Sequence, residues 1–248
     1  MRTLFLAWQA PAERAWFPVG RLDADTALSR YRFSYTRGAL AAKREGFHPV
    51  VSFPSFEESY ESSKLFPMFK NRVLGQQRRD FPSYLASLAL DRPDPIEILA
   101  VTGGERQTDS FEVFPKIEKQ ADDSFMCRFF LHGLRHMNNA AQSRAILLKP
   151  GEPQGVSLEL NNPKHGLAIQ LTSKNYEFIG WTPRYIVGDL LKAINKNPRL
   201  SATVVQVNSE DIPLNRRVLV EMRGFLPSGI EPMADGDFLP ICSSTATR

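Results

Sequence analysis

The chain has 248 residues, of which 42% are hydrophobic and 23% charged, with a net charge of +4. That is ordinary globular composition, with enough apolar material for one large or two small cores. No run approaches the ~18 apolar residues a membrane helix needs. The opening MRTLFLAWQAPAERAW has too short an apolar run, and no small-residue cleavage site, to read as a secretion signal. The cysteines, Cys127 and Cys242, form no C-x-x-C pair, so they read as free thiols of a reducing compartment and the expected location is the cytoplasm.

Strands are predicted at Thr3–Trp8, Trp16–Leu22 and Arg30–Tyr35, with Ala10–Arg14 as a turn. The third alternates Tyr31, Phe33 and Tyr35 with Arg30, Arg32 and Ser34, the period-two pattern of a half-buried strand. A fourth strand is expected at Val50–Phe53, closed by Pro54. Three helices follow, at Leu65–Val73, Asp80–Leu88 and Pro95–Thr102. The last has Asp94 before its proline and Gly103-Gly104 after it, the expected proline start and glycine stop. The polar stretch from Lys116 to Ser124 reads as a linker or domain edge. Strands resume at Ser124–Leu131, Ala145–Leu148, Val156–Leu160, Leu167–Leu171, Phe178–Trp181, Ala202–Val207 and Arg217–Met222. Between them, Arg184–Asn195 carries Ile186, Val187, Leu190, Leu191 and Ile194 on one helical face. The polar tail Ser243–Arg248 is expected to be disordered.

Charge divides unevenly. Residues 1–124 hold 17 Lys/Arg and 17 Asp/Glu, whereas residues 125–248 hold 14 and 10, which is the whole +4 excess. The second half therefore leans weakly toward an anionic partner. No chemical motif stands out. Gly103-Gly104 lacks the spacing of a phosphate loop and reads as a helix cap. His132 and His136 have no further ligands at zinc spacing. Cys127 sits in an apolar strand and reads as a structural thiol. The Tyr31, Phe33, Tyr35 face, flanked by arginines, can stack bases in principle, but burial alone explains the alternation.

In the second half, Gly133-Leu134-Arg135 follows a strand. Asn161-Asn162-Pro163-Lys164-His165-Gly166 leads into Leu167–Leu171, and Ile179-Gly180-Trp181-Thr182-Pro183-Arg184 opens the helix. This order, over roughly residues 124–226, resembles the HIRAN domain. The resemblance implies an OB-like barrel that captures the 3′ end of single-stranded DNA. It implies that Arg135 contacts DNA, that His136 holds a place where a stacking aromatic is common, and that Asn162 and Pro163 match the shared Asn-Pro. The family has an aromatic and then an acidic residue after that proline; this chain has Lys164 and His165, a change that favours phosphate contact.

In the first half, Trp16–Leu22, Arg32–Tyr35, Ser52-Phe53-Pro54 and Leu65–Asn71 resemble the N-terminal subdomain of HipA-type kinases, without the kinase core. The fold expected is α+β: a small β-rich unit with helices over 1–117, then an OB-like barrel with one main helix over 124–242. The function expected is non-catalytic binding of single-stranded DNA or DNA 3′ ends. Arg135, Lys164, Arg184 and Lys192 would meet phosphates, and His136, His165 and Trp181 would stack on bases beside Asn162. No cofactor or metal is expected. The rival reading is a protein-interaction module, antitoxin-like, of a HipA-type kinase system.

Overall fold

The computed structural model describes residues 1–106, 108–164, 166–196 and 200–242. The chain is α+β and divides into two compact units. One comprises Met1–Leu85, Leu90–Lys116 and the segment from Met233 onward; the other comprises Ala86–Ala89 and Ile117–Pro232.

The first unit is a five-stranded antiparallel sheet. It contains β1 (Arg2–Gln9), β2 (Trp16–Asp25), β3 (Arg30–Tyr35), β4 (Ser59–Ser62) and β5 (Phe111–Pro115), in the order β4-β3-β2-β1-β5. Helices α1 (Gly38–Arg44), α2 (Pro67–Lys70), α3 (Phe81–Ser87) and α4 (Pro95–Thr102) fill the connections. As predicted, α4 starts at a proline, and the Asp94 side chain accepts from Ile96 N at 2.8 Å. It stops at Gly103, whose φ of +73° suits glycine.

The β3 aromatics are core. Phe33 and Tyr35 are fully buried, and Phe33 stacks on Phe53 at 3.9 Å. Arg32 points outward, and its Nε donates to Glu61 at 2.9 Å. Burial therefore accounts for the alternation, with Tyr31 partly buried against the same core, and Phe33 and Tyr35 offer no base-stacking face.

Two expectations are corrected here. Val50–Phe53 is a turn rather than a strand, because the Tyr35 hydroxyl occupies its backbone: Val50 N donates to it at 2.8 Å, and it donates to Phe53 O at 2.8 Å. Burial pushes the Tyr35 phenol up to about 12, so it remains the protonated donor this arrangement requires. Residues 233–242, expected with the second unit, complete the first: Phe238 packs against Phe5 and Phe114, and Ile241 N donates to Tyr35 O at 2.8 Å.

The second unit contains β6 (Ser124–Phe130), α5 (Asn139–Ile146), β7 (Pro153–Asn162), β8 (Gly166–Thr172), β9 (Phe178–Trp181), α6 (Arg184–Lys196), β10 (Ser201–Val207) and β11 (Val218–Phe225). Its six-stranded antiparallel sheet runs in the order β6-β11-β10-β7-β8-β9. This ladder is an open row. One isolated bridge, His132↔Trp181, ties the chain just after β6 to β9 at the opposite end. Phe125, Phe129, Ile169, Leu171, Ile179, Val218, Val220 and Met222 are buried, together with Ile186 and Leu190 of α6. The expected strand at Ala145–Leu148 is instead the last residues of α5 and the turn after it, and the Asn138 side chain caps that helix by accepting from Ala141 N at 2.9 Å. Among the described residues, no helix is long and apolar enough to cross a membrane.

Two outcomes follow for the first unit. Tyr35→Phe strands a part-buried N–H and a buried carbonyl together, and is expected to lower the urea-unfolding free energy by about 1–3 kcal/mol. On β5, burial first and then the Glu105 charge push the Glu112 carboxyl up to about 8. A raised carboxyl favours the fold below the unfolded value near 4.5 and loses that contribution as pH climbs to about 8. Glu112→Gln should therefore gain up to about 4–5 kcal/mol over the parent at pH 8.5 and nothing at pH 4, read from unfolding curves at both pH values.

Candidate functional site

The candidate site is built where the chain leaving β6 meets β9. His132 N donates to Trp181 O at 2.9 Å, and Trp181 N returns a bond to His132 O at 3.1 Å. Gly133 then turns the chain with φ +86° into a short 3₁₀ turn, Leu134–His136. A Cβ at Gly133 would fall far inside van der Waals contact of two ring carbons of Trp181. The glycine is thus required twice over, by its backbone conformation and by the indole lying against it.

The indole is fixed at its other side. Its Nε1 donates to Glu159 Oε2 of β7 at 2.7 Å, and the ring meets Phe178 edge-on at 4.5 Å. The same Glu159 oxygen accepts from Asn162 Nδ2 at 3.0 Å. Hydrogen bonds from Asn162, Trp181 and Gln170 hold the Glu159 carboxyl below its ordinary range, so it is ionised. Asn162 Oδ1 in turn accepts from the Lys164 backbone N at 3.1 Å, which sets the turn from which Lys164 projects. One carboxylate therefore positions both the indole and the Asn162–Lys164 turn.

Beside it, Arg135 Nε donates to His136 Nε2 at 3.0 Å. That bond requires an unprotonated Nε2. The imidazole is held below its ordinary range by desolvation, then by the Lys164 and Arg135 charges. Arg135, His136 and Lys164 are all exposed, so two cations and a neutral imidazole share one patch of surface.

Five of the predicted residues, Arg135, His136, Asn162, Lys164 and Trp181, are thus joined by a chain of contacts and charge. Arg184 opens α6 and is exposed. Lys192 lies further along α6, with its Nζ held on the buried Asp189 at 3.0 Å. His165 lies outside the described residues. The residue that sequence reasoning missed is Glu159. In sequence it is an ordinary polar position of an alternating strand, and only its cross-strand neighbours reveal what it holds.

Other chemical readings find less support. Burial pushes the Cys127 thiol up to about 12, which removes its nucleophilic form at neutral pH. Among the described residues, no group of three or more His, Cys, Asp or Glu is placed to hold a metal ion.

No family model matches the chain, and no curated protein matches it. Among solved structures, it is similar to a Lactobacillus plantarum protein from a structural-genomics programme, at 15% identity and a TM-score of 0.31, covering 42% of this chain and 93% of that one.

Gly133→Ala must push the Trp181 ring away or distort the turn. The expected result is a loss of roughly 2 kcal/mol or more in stability, with a shifted tryptophan emission spectrum in the folded state. An unchanged spectrum and unfolding midpoint would show that the indole does not rest on this glycine.

Proposed function

We propose that the chain is a non-catalytic DNA-binding protein and that the surface of Arg135, His136 and Lys164 receives single-stranded DNA or a DNA 3′ end. The observation that carries this reading is the joining of three separated sequence segments, each from the HIRAN-like pattern, into one cationic, partly aromatic patch. Arg135 donates to a neutral imidazole rather than to a carboxylate, which leaves its charge to be balanced from outside. A phosphate between Arg135 and Lys164 balances both. The exposed His136 ring supplies a face for a base. Trp181, with its Nε1 taken by Glu159 and one ring face on Gly133, holds the patch in shape and offers only its remaining surface to a base. We read the His132↔Trp181 bridge as the seam of an OB-like barrel, with the patch at that seam. Arg184 and Lys192 extend the phosphate path along α6 in this reading, Lys192 the more weakly because Asp189 already holds it.

The test is fluorescence-anisotropy titration with three short labelled DNAs at two salt concentrations. These are a single strand with a free 3′-hydroxyl, the same strand with that end blocked, and a blunt duplex. Binding to the single strands is expected, and preference for the free end would extend the reading to end capture. Arg135→Ala and Lys164→Ala should each lower the slope of log K against log salt by about 0.7, and affinity by about tenfold at low salt. An approaching phosphate also favours protonation of His136, whose own value is depressed. Affinity should therefore be higher at pH 5.5 than at pH 7.5, and His136→Phe should flatten that dependence. No binding to any of the three DNAs at low salt sinks the proposal and turns attention to a protein partner.

A further inference from the structure

The strand that carries Glu159 has an unused side. β7 runs from Pro153 to Asn162, but it pairs with β10 only through Pro153 and Gln154. From Gly155 on, its one neighbour among the described residues is β8. Over Gly155–Asn161, most of it exposed, the opposite edge has no strand partner among the described residues. Natural edge strands are commonly guarded by lysine or proline; the segment GVSLELN contains neither and holds one charge, Glu159. The bulge after Glu159 is the one guarding feature present.

The apolar side chains lie on the face opposite Glu159. Val156 stands across from Leu171 and Leu158 across from Ile169, so both continue the face that buries Ile169 and Leu171, and Leu160 follows in the bulge. Yet Leu158 is 40% exposed and Leu160 63%, with Leu167 of β8 at 42%. The core's apolar face thus runs out past the core and stops at an edge that no described strand pairs.

We propose that this edge pairs with the same edge of a second copy of the chain, antiparallel and centred on Leu158. The argument for self-pairing is the strand's own symmetry. About Leu158, Val156 falls opposite Leu160 and Leu158 opposite itself, which joins the apolar side chains of both copies on one face. On the other face, Glu159 falls opposite Ser157, so the only charge in the segment avoids its own mate. A centre at Glu159 would set two carboxylates together, and a centre at Ser157 would leave Leu160 uncovered. The local two-fold of an antiparallel pair stands perpendicular to the sheet, so the Glu159 faces of both copies look the same way.

Sedimentation velocity of the full chain, from low to high micromolar concentration, reads the assembly directly. A concentration-dependent dimer is expected, and Leu158→Lys combined with Leu160→Lys should cut its fraction at least tenfold while circular dichroism and unfolding stay those of the parent. Register is read separately, in a background with Cys242→Ser. Leu158→Cys should form a disulfide-linked dimer under mild oxidation, because paired Cα atoms lie within disulfide reach, and Ser157→Cys should not. A chain that stays monomeric throughout overturns the proposal. So does a dimer unaffected by the two lysines, or cross-linking at 157 equal to that at 158.

Discussion

The Trp181 indole is clamped between a carboxylate and a glycine, and the second unit's candidate surface depends on that clamp. Its Nε1 bond to Glu159 is a charge-assisted hydrogen bond of 2.7 Å, the kind that contributes about 1.5–3 kcal/mol. Its ring fills the space that any side chain at position 133 would need. Its backbone exchanges two hydrogen bonds with His132. Three segments far apart in sequence, around residues 133, 159 and 181, are thereby fixed to one another. Arg135, on its 3₁₀ turn, and Lys164, on its Asn162-braced turn, are each one step from this clamp.

The first unit rests on a different device. Tyr35 is an interior tyrosine whose hydroxyl serves as donor and acceptor to the 50–53 turn. Its own carbonyl takes the amide of Ile241. One residue therefore stitches the sheet to a connecting turn and to the returning C-terminal segment. The aromatic cluster of Phe33, Phe53 and Phe69 around it is fully buried, so each hydrogen bond within it counts for more than it would at the surface.

Elements with strong local signals were legible in sequence. α4 was written by Asp94, Pro95 and Gly103, and α6 by apolar residues at three- and four-residue spacing, because caps and periodicity are properties of neighbours in the chain. β3 was legible for the same reason. Where tertiary partners decide, local reading failed. Val50–Phe53 has strand-like residues, but the Tyr35 hydroxyl claims the backbone groups a ladder would use. Ala145–Leu148 is a short apolar run that periodicity cannot assign, and the signal that settles it, Asn138 as cap, lies seven residues earlier. The C-terminal segment carries no pattern at all; its place follows from Phe238 finding Phe5 and Phe114. In the candidate site, the cations and the indole were readable as residue types in an ordered pattern. Glu159 was not, since a carboxylate at an alternating strand position looks like solvent-facing decoration until the partners across the sheet are known.

Net charge explains little of this, and local compensation explains more. The second half's four-charge excess is spread over a surface where many cations already have acids. Arg128 and Arg223 share Glu221, Arg144 has Glu177, and Lys192 has Asp189. Such pairs cancel at distances shorter than the ~10 Å over which salt screens. What remains is decided by where an acid is spoken for by something other than a cation. Glu159 is that case: it lies beside the Arg135, His136 and Lys164 patch, yet its hydrogen-bonding capacity is taken up by an indole, an amide and Gln170. The sheet thus uses its local carboxylate as a structural acceptor for neutral donors, and its charge remains beside the exposed Arg135 and Lys164.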